Sequence, residues 1–155
     1  MTNLENYAIL INDAAASKAA PAFVNRSVQH IIFDATSTIS YRLDVEYIGQ
    51  PFNRSLYLKE HCLGRRTAAK MIVREAKKNQ LTAQSLEQLL KRYAFWILVP
   101  KAKSNTGKTA NAELKKIQNG STIVRYNQYV EVLERCGYVL TNASKKELKT
   151  RWSVR

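Results

Sequence analysis

The chain is poor in the residues that would build a disulfide scaffold, a metal centre or a membrane span. Two cysteines occur in 155 residues, Cys62 and Cys136. They lie far apart and lack C-x-x-C spacing, so a disulfide framework is excluded and a reducing, cytoplasmic compartment is expected. The only histidines, His30 and His61, form no recognised ligand spacing with them, so no metal or other cofactor is expected. No apolar run reaches the roughly 18 residues of a membrane span. The N-terminus lacks the basic start and apolar core of a signal peptide, so no membrane partner is expected.

Chemistry-bearing constellations are also missing. Asp44 and Glu46 fall on the polar side of an alternating run, so no pair of carboxylates sits in an apolar site fit for general acid-base work. The segment Ser104-Asn105-Thr106-Gly107-Lys108-Thr109 has the end of a phosphate loop, but Ala102 stands where that motif needs its first glycine. A nuclease using His61 with Lys59 and Arg65 is the one catalytic alternative, and it rests on adjacency alone. A non-catalytic protein is expected.

Acids are the last scarcity. The chain holds 12 Asp and Glu against 25 Lys and Arg, for a formal charge of +13. Residues 1–53 carry three bases and five acids, a net of −2, whereas residues 54–155 carry 22 bases and seven acids, a net of +15. A solubilising surface needs no such segregation, and added acids would serve it better. A basic tract of this strength points to a polyanion.

The sharpest expression of that charge is Gly64-Arg65-Arg66-Thr67-Ala68-Ala69-Lys70-Met71-Ile72-Val73-Arg74-Glu75-Ala76-Lys77-Lys78. At about 100° per residue, a helix gathers Arg66, Lys70, Arg74, Lys77 and Lys78 into an arc about 120° wide. Ala68, Ala69, Ile72, Val73 and Ala76 fill the other side. Such a helix needs a seat for its apolar side and leaves its basic side for a partner. That apolar side is too small for a bilayer surface.

Residues 4–20 have Leu4, Ala8, Ile11 and Ala15 at helical spacing, and Pro21 ends the run. Gln29 to Ala35 and Thr38 to Ile48 are rich in β-branched and aromatic residues and are expected to be strands, the second with Ile39, Tyr41, Leu43, Val45 and Tyr47 on its buried face. Gly49 to Asn53 supplies a turn, and Arg54 to His61 returns as an antiparallel partner. Thr82 fits an N-cap for a helix from Ala83 to Leu98 that stops at Pro100. Lys101 to Asn111 is polar and basic and reads as a flexible loop. Helices are expected at Ala112 to Gln118 and Tyr126 to Cys136, with Gly137 as a stop. A short strand at Tyr138 to Leu140 precedes a last helix that Ser144 and Glu147 would cap.

The expected fold class is α+β: an N-terminal helix, a short antiparallel β-meander packed by a basic amphipathic helix, and a helical C-terminal half. Residues 1–100 form the core, 101–111 the basic loop, and 112–155 a helical extension packed on the core. The segment with Leu86, Leu89, Leu90, Tyr93 and Phe95-Trp96 suits either an internal core or a homodimer contact.

Two family resemblances touch the basic helix. Arg65-Arg66-Thr67-Ala68 is similar to the basic start of the second helix in double-stranded-RNA-binding domains, and Pro21-Ala22-Phe23 sits where that family has an extended Pro-x-aromatic. The resemblance implies helix, three strands and helix over residues 4–78, and duplex RNA as ligand. The chain departs from it at Ala69, at Met71-Ile72-Val73, and in lacking the Gly-Pro-x-His loop. Arg54 to Glu60 followed by Arg65 to Lys78 and Ala83 to Leu98 also resembles ribbon-helix-helix repressors, whose strand enters a DNA groove.

The expected function is nucleic-acid binding, with duplex DNA favoured over RNA, in transcription regulation or as an accessory factor in replication, transfer or recombination. Phosphate contacts are assigned to Arg65, Arg66, Lys70, Arg74, Lys77 and Lys78, joined by the loop lysines Lys101, Lys103 and Lys108. Arg54, Tyr57 and Lys59 are assigned to base edges. The alternative classes are an RNA-binding protein and an interaction module that docks on an acidic protein.

Overall fold

Helix formation dominates where apolar residues recur every three or four positions, and among the described residues one short β-ladder forms around the continuous apolar run Trp96–Pro100. The computed structural model describes residues 3–38, 41–50, 54–101, 109–118 and 124–153. The fold is α+β with a helical C-terminal half, as expected from the sequence. The chain divides into two compact units, Met1–Tyr41 with Arg65–Phe95, and Arg42–Gly64 with Trp96–Arg155.

The first unit contains α1 (Asn3–Ala16), α2 (Pro21–Thr38), α3 (Arg65–Lys78) and α4 (Ala83–Tyr93). Helix α2 corrects the strand expected from Gln29 to Ala35 and the beginning of the next. Val24, Val28, Ile32 and Ala35 are buried along it, and that spacing is helical. The local β-branched content had outweighed it. Pro21 is the first residue of this helix rather than only the end of the one before. Its missing N–H and fixed φ suit that position. The extended Pro-x-aromatic and the strands implied by the RNA-binding resemblance are therefore absent from residues 21–38. The apolar side of α3 packs on α1 and α2, which supply the seat that the meander was expected to give.

Ile11, Ile72, Leu86 and Leu90 are fully buried in this unit, each contributing roughly 1.5–3 kcal/mol. Asn12 ties α1 to the α3–α4 connection. Its amide donates to the Leu81 carbonyl at 2.9 Å, and its oxygen accepts from the Leu81 N–H at 2.8 Å. Thr82 caps α4 as expected, exchanging hydrogen bonds with Ser85. The helix ends at Tyr93, not Leu98, because Trp96 onward is strand. A short continuous apolar run does not distinguish the two by periodicity.

The second unit pairs β1 (Tyr57–His61) with β2 (Trp96–Pro100) antiparallel, Lys59 opposite Leu98. The partner of β1 is thus β2 and not residues 38–48, where the described part shows only isolated bridges, Arg42 to Trp96 and Tyr47 to Leu140. Every residue of β2 is buried, which explains its lack of alternation. Helices α5 (Ala110–Gln118), α6 (Tyr126–Arg135) and α7 (Asn142–Ser153) complete the unit. Gly137 closes α6 at φ 90°, a conformation that favours glycine.

Helix α7 begins two residues before the expected cap. Thr141 Oγ1 accepts from the Ser144 N–H at 3.2 Å, while the buried Ser144 hydroxyl accepts from the Glu46 N–H at 2.8 Å. Tyr138 to Leu140 contributes one bridge residue, Leu140, in place of a strand. The segment with Leu86, Leu89, Leu90, Tyr93, Phe95 and Trp96 is buried within the chain. An internal core therefore accounts for it.

Candidate nucleic-acid interface

Of the fourteen residues of helix α3, all but Thr67, Ile72 and Val73 are Arg, Lys, Ala, Glu or Met, strong helix formers. Ala68, Ala69 and Ile72 are buried, which turns the opposite arc to solvent. Arg65, Arg66, Lys70, Arg74, Lys77 and Lys78 are all exposed. Lys78 reaches Glu75 at 3.5 Å, a surface pair of little energy. The Arg65 guanidinium lies 5.0 Å from the centre of the Phe33 ring, a cation–π contact. Among the described residues, Arg66, Lys70, Arg74 and Lys77 make no ion pair.

The first turn of α3 makes the charge harder to explain as scaffolding. It holds Arg65 and Arg66 and no acid. The helix dipole is positive there, so each cation is disfavoured by roughly 0.3–1 kcal/mol. A helix N-terminus that carries basic side chains is suited to an anion.

A groove of about 620 Å³ runs between the first half of α2 and the basic arc of α3. Its walls include Arg26 from α2 and Arg66, Lys70 and Lys77 from α3, and no acid lines it. Asn25 lies in the same wall, 8% exposed. Its Oδ1 is buried and accepts no hydrogen bond from the protein. An unpaired buried amide oxygen costs on the order of 1–3 kcal/mol.

The other expected contact residues belong to the second unit. Tyr57 is 5% exposed and its ring stacks on Tyr47 at 6.1 Å, which makes it part of the unit's core. Lys59 is exposed, with its ammonium 4.6 Å from the Trp96 ring centre. Arg54 opens a single 3₁₀ turn, Arg54–Leu56. Lys101 is exposed, and its backbone N–H donates to the Leu56 carbonyl at 3.0 Å. Lys103 and Lys108, and with them most of the phosphate-loop-like segment, lie outside the described residues. β1 is paired to β2 along its length, unlike the strand of a ribbon-helix-helix protein, which pairs across a dimer.

One cluster in the second unit has acid-base character. Glu60 on β1 is 5% exposed. Burial pushes its carboxyl up from 4.5 to about 7, against the pull of Lys115 and a hydrogen bond from Gln118. The fully buried Tyr129 phenol is pushed far up by burial, with Cys62 and Glu60 adding to the effect. Both cysteines are buried thiols. Among the described residues no group of three or more His, Cys, Asp or Glu side chains could hold a metal. No described helix is long and apolar enough to cross a membrane.

Reasoning from sequence missed Asn25 and Arg26. Reading the following segment as strands hid the helix that carries them. The signal was present: Val24, Val28, Ile32 and Ala35 mark one face of α2, and Ala22, Asn25, Arg26 and Gln29 recur beside it. No protein-family model, curated protein or solved structure matches this chain.

Proposed function

We propose that this protein binds nucleic acid without catalysing a reaction on it, and that α3 is the contacting element. The observation that carries the reading is the exposed arc of Arg66, Lys70, Arg74 and Lys77, whose charges no acid among the described residues neutralises. Bringing phosphates to such cations releases condensed counterions, which drives association. Lys78 is the fifth cation of the arc, Arg26 widens it on the α2 side, and Arg65 stands off it, against Phe33.

Duplex DNA is the favoured form. An exposed helix about 10–12 Å across fits the major groove of B-DNA, about 12 Å wide. The deep, narrow major groove of duplex RNA does not admit one. A bilayer is disfavoured because the apolar side of α3 is spent on α1 and α2. Regulation of transcription, or an accessory role in replication, transfer or recombination, would use this chemistry in the cytoplasm.

Fluorescence anisotropy with labelled duplex DNA, duplex RNA and single strands at low salt tests the reading. The expected result is tightest binding to duplex DNA. Five phosphate contacts predict that log K falls with log salt at a slope of about −4.5. No binding to any of the three at low salt overturns the proposal, and preference for duplex RNA overturns its DNA part.

A further inference from the structure

The basic face carries an aromatic ring at one end. Phe33, late in α2, is 50% exposed, and the guanidinium of exposed Arg65, the first residue of α3, lies 5.0 Å from the centre of its ring. With Arg65 over the ring, half of Phe33 still meets solvent. Two relations place this pair at the mouth of the α2–α3 groove. Phe33 is one helical turn beyond Gln29, and Arg65 is one residue before Arg66, both of which line the groove. Phe33 also stands seven residues after Arg26, another lining residue, so the two project from α2 within about 20° of each other.

The surroundings of the ring select what can cover it. Asp34 is the one acid of α2, and its side chain is turned about 100° from Phe33. The charges beside the ring on the groove side are therefore cationic: Arg65, Arg66 and Arg26. A ligand that covers Phe33 is best suited when it brings anions with it. A nucleobase does so, since it has a flat π-face for the ring and is tied to a phosphate for the cations, and aromatic rings and guanidinium planes are both surfaces on which unpaired bases stack. Within a duplex the faces of each base are covered by its neighbours. Only an unpaired base can offer one.

We infer that the Phe33–Arg65 pair is a stacking platform for one unpaired base, so that the protein favours nucleic acid in which duplex passes into single strand. The inference rests on the nucleic-acid reading of α3, which supplies the duplex beside the platform. The cations set affinity for any duplex, and Phe33 adds affinity only where a base is free.

The test is fluorescence anisotropy at low salt with three labelled DNAs: a blunt duplex, the same duplex ending in a short unpaired fork, and that fork made of abasic units, which keep the added phosphates and lose the bases. The expected result is that the fork with bases binds about tenfold tighter than the abasic fork. Phe33→Ala is expected to erase that difference and to leave affinity for the blunt duplex within about twofold. Phe33→Leu should erase it as well, because an aliphatic side chain has no π-face, whereas Phe33→Trp should keep it. Phe23→Ala is the control: Phe23 is 63% exposed on the same helix, turned about 80° from Phe33, and its loss should change nothing. Both positions are exposed, so thermal melts of the variants should coincide with that of the wild type.

Equal binding of the base-bearing and abasic forks by the wild type overturns the inference, and this outcome needs no variant. A preference that survives in Phe33→Ala or Phe33→Leu also overturns it, as does one that Phe23→Ala removes just as fully. Binding of the blunt duplex with no gain from the fork's bases sinks the inference and leaves the proposed function standing. A base-dependent gain with no affinity for the blunt duplex does the reverse.

Discussion

The α2–α3 groove and the cluster around Glu60 treat charge in opposite ways. In the groove, Arg26, Arg66, Lys70 and Lys77 are exposed and unopposed, so their charge is available to a partner. Around Glu60, one carboxyl and the Tyr129 phenol are shut away from water, and burial holds both toward their neutral forms. The two units nonetheless have charge of the same sign. The first holds ten bases and five acids, a net of +5, and the second 15 bases and seven acids, a net of +8. Net charge therefore does not locate a binding face. What sets the groove apart is that Arg66, Lys70 and Lys77 make no ion pair among the described residues, whereas cations elsewhere in both units are paired: Lys78 with Glu75 and Lys91 with Glu87 at 3.5 Å, Arg42 with Asp44 at 2.7 Å, Lys116 with Glu113 at 2.9 Å and Lys145 with Glu134 at 3.0 Å.

The strongest way to break this contrast is to reverse the free charges. Arg66→Glu, Lys70→Glu and Arg74→Glu together are expected to weaken nucleic-acid binding at least about a thousandfold at 0.1 M salt, and to flatten the log–log salt slope by about 2.7. Because all three positions are exposed, the melting temperature should hardly move. Anisotropy titrations across salt, with a thermal melt beside them, read both quantities. A triple variant that binds like the wild type would end the assignment of α3.

The buried side of the contrast has a pH signature. The folded protein holds a proton on Glu60 up to about pH 7, whereas the unfolded chain releases it near pH 4.5. The native state therefore binds more protons between these values, and stability falls as pH rises through that window. The full loss above pH 7 is on the order of 3 kcal/mol. Glu60→Gln removes it, so the variant should match the wild type near pH 4.5 and exceed it by about that amount at pH 8. Urea unfolding at the two pH values measures the difference. Nucleic-acid affinity should not change, since the carboxyl is hidden.

A smaller effect separates architecture from binding inside the first unit. Asn12→Ala removes both hydrogen bonds to Leu81, which is 7% exposed, and leaves its backbone groups unpaired. The expected destabilisation is about 2 kcal/mol by denaturant unfolding, with the salt slope of binding unaltered. A loss of affinity without loss of stability would show that Asn12 acts on the groove.

The sequence made the basic helix legible because its charge and its small apolar residues repeat at helical spacing over fourteen residues, Arg65–Lys78. Thr82 and Gly137 were legible because caps are local. The seat of α3 was not. Ile31, Ile32 and Phe33 look like strand when read singly, and only the longer spacing of Val24, Val28, Ile32 and Ala35 gives the helix away. The pairing of β1 with β2 joins positions such as Tyr57 and Pro100, a separation that no local pattern encodes. Asn25 escaped for a related reason: an asparagine on a helix becomes notable only when its environment leaves its oxygen unpaired.

The finest test compares two lysines that differ only in company. Lys116 is exposed and held by Glu113 at 2.9 Å, so Lys116→Gln removes a surface pair worth roughly 0.5 kcal/mol or less. Lys70 is exposed and makes no ion pair among the described residues. If counterion release governs binding, loss of one phosphate contact at Lys70 should reduce affinity on the order of tenfold at 0.1 M salt. Lys116→Gln should change it less than about twofold, since only long-range attraction is lost and that is screened beyond about 10 Å. Both variants lose one positive charge, so net charge cannot produce the difference. Equal losses in the two would mean that total charge, and not the unpaired arc of α3, draws the nucleic acid in.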